Sequence, residues 1–170
     1  MEIKYKAVLF DLDGTLSRSA EGIKMCIEGA LRAVDKPLLP LDDYSIYIGP
    51  PLIDTFLNYC GLPMDEAQKA TEAYRKLYEA KGKYENSLYD GMEATLQALK
   101  KSGVRLAVTT SKYEPFAEEI VKMIGAYEYF DFICGSNKTD RKDKSDVILY
   151  ALDKLKIAPS KDEVVLVGDS

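Results

Sequence analysis

The sequence predicts an α/β chain: a doubly wound parallel sheet with an all-helical domain inserted after its first strand. Three observations predict it. Short, continuously apolar runs end in turns built from Asp, Gly, Thr or Ser. Helical patterns fill the intervals between those runs, and one interval is far longer than a crossover needs.

Taken in order, Ala7-Val8-Leu9-Phe10 is apolar at every position and is closed by Asp11-Leu12-Asp13-Gly14-Thr15. An unbroken apolar run of this length reads as a strand covered on both faces, as in parallel sheets. The next such run begins more than ninety residues later, whereas a crossover takes about a dozen. The excess is patterned as helices. Ile23, Cys26, Ile27, Ala30, Leu31 and Val34 share one stripe, and Ala67, Ala70, Ala73, Tyr74, Leu77 and Tyr78 share another. Residues 52–60 read as a short helix started by Pro50-Pro51 and stopped by Gly61. Residues 17–88 are therefore assigned to the inserted helical domain, and residues 1–16 with 89–170 to the α/β core.

The core then resumes its rhythm. Residues 93–102 carry Leu96 and Leu99 on one helical face, with Gly103 as the stop. A strand over residues 104–108 runs into Thr109-Thr110-Ser111-Lys112. Residues 115–124 form a helix, residues 132–134 a strand ending at Gly135-Ser136, and residues 144–155 a further helix. The last apolar run, Val164-Val165-Leu166-Val167, leads into Gly168-Asp169-Ser170. It is expected beside the first strand.

Composition narrows the chemistry. A net charge of −5 argues against a nucleic-acid or membrane footprint. No run of 18 apolar residues occurs and the first residues lack a signal-peptide core, so a cytoplasmic protein is expected. Cys26, Cys60 and Cys134 are far apart and odd in number, which fits a reducing compartment. There is no histidine. Ser-His and Cys-His nucleophile pairs and His-bound zinc are thereby excluded, leaving carboxylates, lysine, hydroxyls and a hard cation.

Asp11 and Asp13 follow the first strand, at the end of the sheet where open α/β folds bind ligands. Two carboxylates so placed suit a division of labour, one attacking phosphorus while the other gives and takes a proton. Their charge would repel a phosphate dianion, so a cation is required, and Mg²⁺ suits oxygen ligands. A calcium loop is disfavoured, because Gly14 comes too early and its closing position falls on Gly22. Thr110 can donate to a phosphoryl oxygen, Asp169 places a third carboxylate at a strand end, and Lys144 can neutralise charge on a transferring phosphoryl group.

These residues, taken in chain order with their surroundings, resemble the four motifs of the haloacid dehalogenase superfamily. The first motif corresponds to Asp11-Leu12-Asp13-Gly14-Thr15 and the second to Thr110 within Val108-Thr109-Thr110-Ser111-Lys112. The third is the lysine, and the fourth begins at Val167-Gly168-Asp169. The inserted helical domain is similar to the superfamily's cap on a Rossmann-like core. Gly49-Pro50-Pro51-Leu52, Tyr89-Asp90-Gly91 and Lys144-Ser145-Asp146-Val147-Ile148 resemble its phosphoglycolate phosphatase-like and nucleotidase-like branch. The commoner spacing of the third motif selects Lys142; matching Arg141 and the helix start selects Lys144, which is preferred.

The resemblance implies an Mg²⁺-dependent phosphatase acting on small phosphate monoesters, with phosphoglycolate and nucleotide 5′-monophosphates as candidate substrates. It implies Asp11 as nucleophile, Asp13 as acid and base, and Thr110 and Lys144 as clamps on the phosphoryl group. Gly14, Thr15, Ser111 and Lys112 are implied in substrate binding, and Asp11, Asp13 (through its backbone carbonyl) and Asp169 in holding Mg²⁺. It also implies further chain after Ser170, carrying a second acidic residue, a strand and a helix. The alternatives kept open are a sugar phosphomutase of the same superfamily and a non-catalytic phospho-acceptor or binding module.

Overall fold

The computed structural model describes residues 4–38, 52–137, 139–158 and 163–168. Gly49, Pro50, Pro51 and the expected metal ligand Asp169 lie outside the described residues. In chain order the elements are β1 (Ala7–Phe10), α1 (Ala20–Ala33), α2 (Leu52–Asp54, running on as a π-helical turn over Thr55–Tyr59) and α3 (Met64–Ala80). Then come α4 (Met92–Lys101), β2 (Arg105–Tyr113), α5 (Glu114–Met123), β3 (Phe132–Ser136), α6 (Lys144–Leu155) and β4 (Val164–Val167).

The four strands form one parallel sheet in the order β3-β2-β1-β4. β1 is flanked on both sides, which is why all four of its residues are apolar and buried. β4 pairs directly with β1, Ala7 opposite Val164 and Phe10 opposite Val167, and the Val167 carbonyl accepts Asp11 N–H at 2.8 Å. On one face Leu9, Ala107 and Cys134 pack against Val147, Ala151, Leu152 and Leu155 of α6, whose helical spacing presents a single apolar stripe.

β2 is longer than its apolar run. The buried Thr109 and Thr110 continue the strand past Val108, and pairing with β3 becomes irregular between Thr110 and Tyr113. β-Branched threonines suit extended backbone, so the strand carries its polar end into the site rather than stopping before it.

The chain divides into two compact units, one comprising residues up to Arg18 together with Ser87 onward, the other Ser19–Asn86. The sequence-expected breaks, after residue 16 and before residue 89, lie two residues outside these. In the first unit the two connecting segments run side by side: Arg18 N–H donates to the Ser87 carbonyl at 2.8 Å and Tyr89 N–H to Leu16 at 3.2 Å. In the second, α1 packs against α3 through Ile23, Cys26, Ile27, Ala30 and Leu31 on one side and Ala67, Ala70 and Tyr78 on the other. Phe56 is fully buried. No helix among the described residues is long and apolar enough to cross a membrane.

Candidate active site

The turn after β1 is closed by the Leu12 carbonyl, which accepts the N–H groups of Leu16 at 3.0 Å and Ser17 at 2.9 Å. Gly14 N–H in turn donates to the Ser17 carbonyl at 3.0 Å. Gly14 sits at φ +77°, the left-handed region where a side chain is strained, so the Asp-x-Asp-Gly order is a backbone requirement as well as a chemical one. Asp11 is buried, and one of its carboxylate oxygens, Oδ1, accepts Leu12 N–H at 2.7 Å.

Two lysines meet the two carboxylates. Lys144 Nζ lies 2.5 Å from Asp11 Oδ2, and Lys112 Nζ lies 3.1 Å from Asp13 Oδ2. The second pair is largely removed from solvent, with side chains 12% and 15% exposed. Opposite charges this close and this far removed from solvent interact far more strongly than at an open surface. Asp13 Oδ1 and Thr15 Oγ1 are buried with no hydrogen-bond partner among the described residues.

Helix capping sets which lysine arrives. Asp143 caps α6, its Oδ1 accepting Asp146 N–H at 2.9 Å, while Asp146 Oδ2 accepts from Asp143 N–H at 3.4 Å. Lys144 is thus the first helical residue. Lys142 precedes the cap, is exposed, and gives its N–H to Asp146 Oδ2 at 3.1 Å. Thr110 is buried, and its Oγ1 accepts Lys112 N–H at 3.2 Å, leaving its hydroxyl hydrogen to donate. Ser111 is exposed.

Supporting groups assigned no structural role from sequence hold this arrangement. Glu114 and Arg141 form a forked pair beside the site, and Glu114 Oε2 also accepts Gly135 N–H at 3.1 Å. Asn137 Oδ1 accepts the N–H groups of Thr139, Asp140 and Arg141, folding the loop that leads to Lys144. An Asn followed by polar residues before a helix is the signal that could have marked this loop.

The donor set fits a hard cation. Asp11 and Asp13 supply oxygens only, and none of the hydrogen bonds that build the turn occupies the Asp13 carbonyl. Among the described residues no three acidic or cysteine side chains form a ready metal cluster. Asp169, the third expected ligand, lies outside them.

The family model for haloacid dehalogenase-like hydrolases matches residues 8–170. The chain belongs to that family. Curated relatives of this haloacid dehalogenase-like chain include the tyrosine-protein kinase PtkA of Mycobacterium tuberculosis, 42% identical over 95% of this chain and 55% of the relative. The chain thus spans little more than half of that relative's length. A 5′-nucleotidase of Pseudomonas aeruginosa is 35% identical over 98% of this chain and 75% of its own. Among solved structures, a haloacid dehalogenase-like family hydrolase from Streptococcus pneumoniae superposes with a TM-score of 0.91 at 31% identity, covering 98% of this chain and 77% of that one.

Proposed function

We propose that this chain carries the catalytic site of an Mg²⁺-dependent phosphatase that hydrolyses small phosphate monoesters through a phospho-aspartate on Asp11. The observation that carries the reading is the pairing of Lys144 with Asp11 beside the pairing of Lys112 with Asp13, at the carboxyl end of the sheet. Asp11 attacks phosphorus and the ester P–O bond breaks. Asp13 gives a proton to the departing alkoxide, then takes one from the water that attacks the phospho-aspartate. Lys144 and the Thr110 hydroxyl hold the phosphoryl oxygens, where negative charge is densest in the transition state. Gly14, Thr15 and Ser111 line the same approach. Asp11, the Asp13 carbonyl and Asp169 would hold Mg²⁺, which when bound offsets the repulsion between carboxylates and phosphate. The odd, widely spaced set Cys26, Cys60 and Cys134 supports work in a reducing compartment such as the cytoplasm.

The test is phosphate release from a monoester panel, including a nucleotide 5′-monophosphate and phosphoglycolate, with and without Mg²⁺. Wild-type protein is expected to release phosphate only with Mg²⁺, and Asp11→Asn to abolish turnover while keeping the fold. Retention of activity by Asp11→Asn within tenfold of wild type sinks the nucleophile assignment. The 42% identity to a protein named as a tyrosine kinase favours a second reading, phosphoryl transfer from a nucleoside triphosphate to a tyrosine. Incubation with ATP and a tyrosine peptide separates the two: phosphopeptide without free phosphate favours transfer, and the reverse favours hydrolysis.

A further inference from the structure

Lys112 is placed by family resemblance among groups that touch substrate, yet its ammonium reaches a carboxylate of the protein. Nζ lies 3.1 Å from Asp13 Oδ2, with both side chains mostly buried. The lysine is delivered there by a fixed backbone. Its N–H is held by Thr110 Oγ1 at 3.2 Å, and its carbonyl lies where a Cβ on Gly135 would come within 2.6 Å. An ammonium can only donate hydrogen bonds, so it holds Oδ2 as an acceptor. Oδ1, buried and without a hydrogen-bond partner among the described residues, is the atom left to carry a proton.

We propose that Lys112 is a positioning residue for Asp13: it pins Oδ2 so that the proton given to the leaving group is carried on Oδ1. The inference rests on the reading of Asp13 as acid and base. A carboxyl group free to rotate presents either oxygen to the substrate, and only one orientation places its proton on the ester oxygen. Pinning removes the unproductive orientation before substrate arrives, which is how a fixed neighbour contributes to rate without touching the reacting atoms.

The consequence depends on the leaving group. An alkoxide must be protonated as it departs, whereas p-nitrophenolate leaves unaided. The value of kcat/KM reports the steps up to ester cleavage, so it isolates this proton transfer from the later attack of water. Lys112→Met is expected to lose about a hundredfold in kcat/KM on alkyl phosphates and about tenfold or less on p-nitrophenyl phosphate, within the range assigned to general acid catalysis. Asp13→Asn should show the same preference, and the double variant should be no more selective than either single one. Lys112→Arg, which keeps a donor for Oδ2, should recover much of the alkyl activity.

Selectivity is a ratio of two substrates on one preparation, so a partly folded variant leaves it unchanged. Equal loss on both ester types in Lys112→Met, with the preference intact in Asp13→Asn, overturns the positioning role alone. Failure of wild-type protein to release phosphate from any ester overturns the phosphatase reading and this inference with it.

Discussion

Arg141 and Glu114 form a forked ion pair across the edge of the site, Nη1 to Oε2 at 2.5 Å and Nη2 to Oε1 at 3.3 Å. Glu114 opens α5, immediately after the strand end that carries Thr110 and Lys112; Arg141 lies three residues before Lys144. The pair therefore ties together the two segments that bring lysines to Asp13 and Asp11. Arg141 is buried, and its guanidinium also lies 4.0 Å from the centre of the Tyr150 ring.

Removing Glu114 would leave a buried guanidinium without its carboxylate. Glu114→Ala is expected to cost on the order of 3 kcal/mol, because breaking a buried pair from one side costs more than the pair itself contributes. Urea denaturation checks this. The double variant Glu114→Gln with Arg141→Met should be more stable than the sum of its single changes predicts. Additive losses would show that the two residues act separately.

The two lysines near α6 should separate sharply. Lys144→Ala is expected to lower kcat about a hundredfold or more, the scale of losing one transition-state donor. Lys142→Ala should stay within a few-fold of wild type, since Lys142 is exposed and stands ahead of the cap. Steady-state kinetics on one good ester decide it, and the opposite pattern would move the role to Lys142.

How far these features are legible in sequence follows from their range. The strands are readable because burial on both faces leaves Ala7 to Phe10 apolar throughout, and β4 could be placed beside β1 because the family resemblance implies that Asp169 shares a metal with Asp11. Lys142 and Lys144 are harder to tell apart, being two lysines in one polar stretch. The cap that distinguishes them is an Asp-x-x-Asp pair, less recognisable than a Ser or Thr followed by Glu. The Glu114–Arg141 pair spans 27 residues and has no local signature at all. The length of β2 is missed for a different reason: Thr109 and Thr110 are polar, yet both are buried as the strand runs on past Val108.

Gly135 lies closely against the backbone that follows β2's polar end. A Cβ there would meet the Lys112 carbonyl and the Glu114 Cα at 2.6 Å each, both backbone atoms that cannot swing aside. Gly135→Ala should therefore displace the Lys112 segment, costing about 1–3 kcal/mol as overpacking does. Because that segment carries Lys112 toward Asp13, activity should fall more than stability alone explains. Kinetics measured well below the unfolding transition, beside a thermal melt, would test this; full activity in a destabilised protein would contradict it.

The thiols supply a pH dependence. Burial pushes Cys60 up to about 11, and burial followed by the Glu114 carboxylate pushes Cys134 up to about 11, against an ordinary value of 9.0. Both should be poor nucleophiles near neutrality, since the thiolate is the reactive form. Iodoacetamide at pH 7.5 should label folded protein slowly, and labelling should accelerate as pH approaches 11. Cys60, only partly buried, should lead; Cys134, 1% exposed, should wait for local opening. The sign for stability follows from proton binding. Between about pH 9 and 11 the folded state keeps protons that the unfolded chain releases, so stability should fall as pH rises through that window. The double variant Cys60→Ser with Cys134→Ala should show a shallower decline there, whatever its starting stability. An unchanged slope, or rapid labelling of both thiols at pH 7.5, would mean that these sulfurs are not held in the protonated state by the fold.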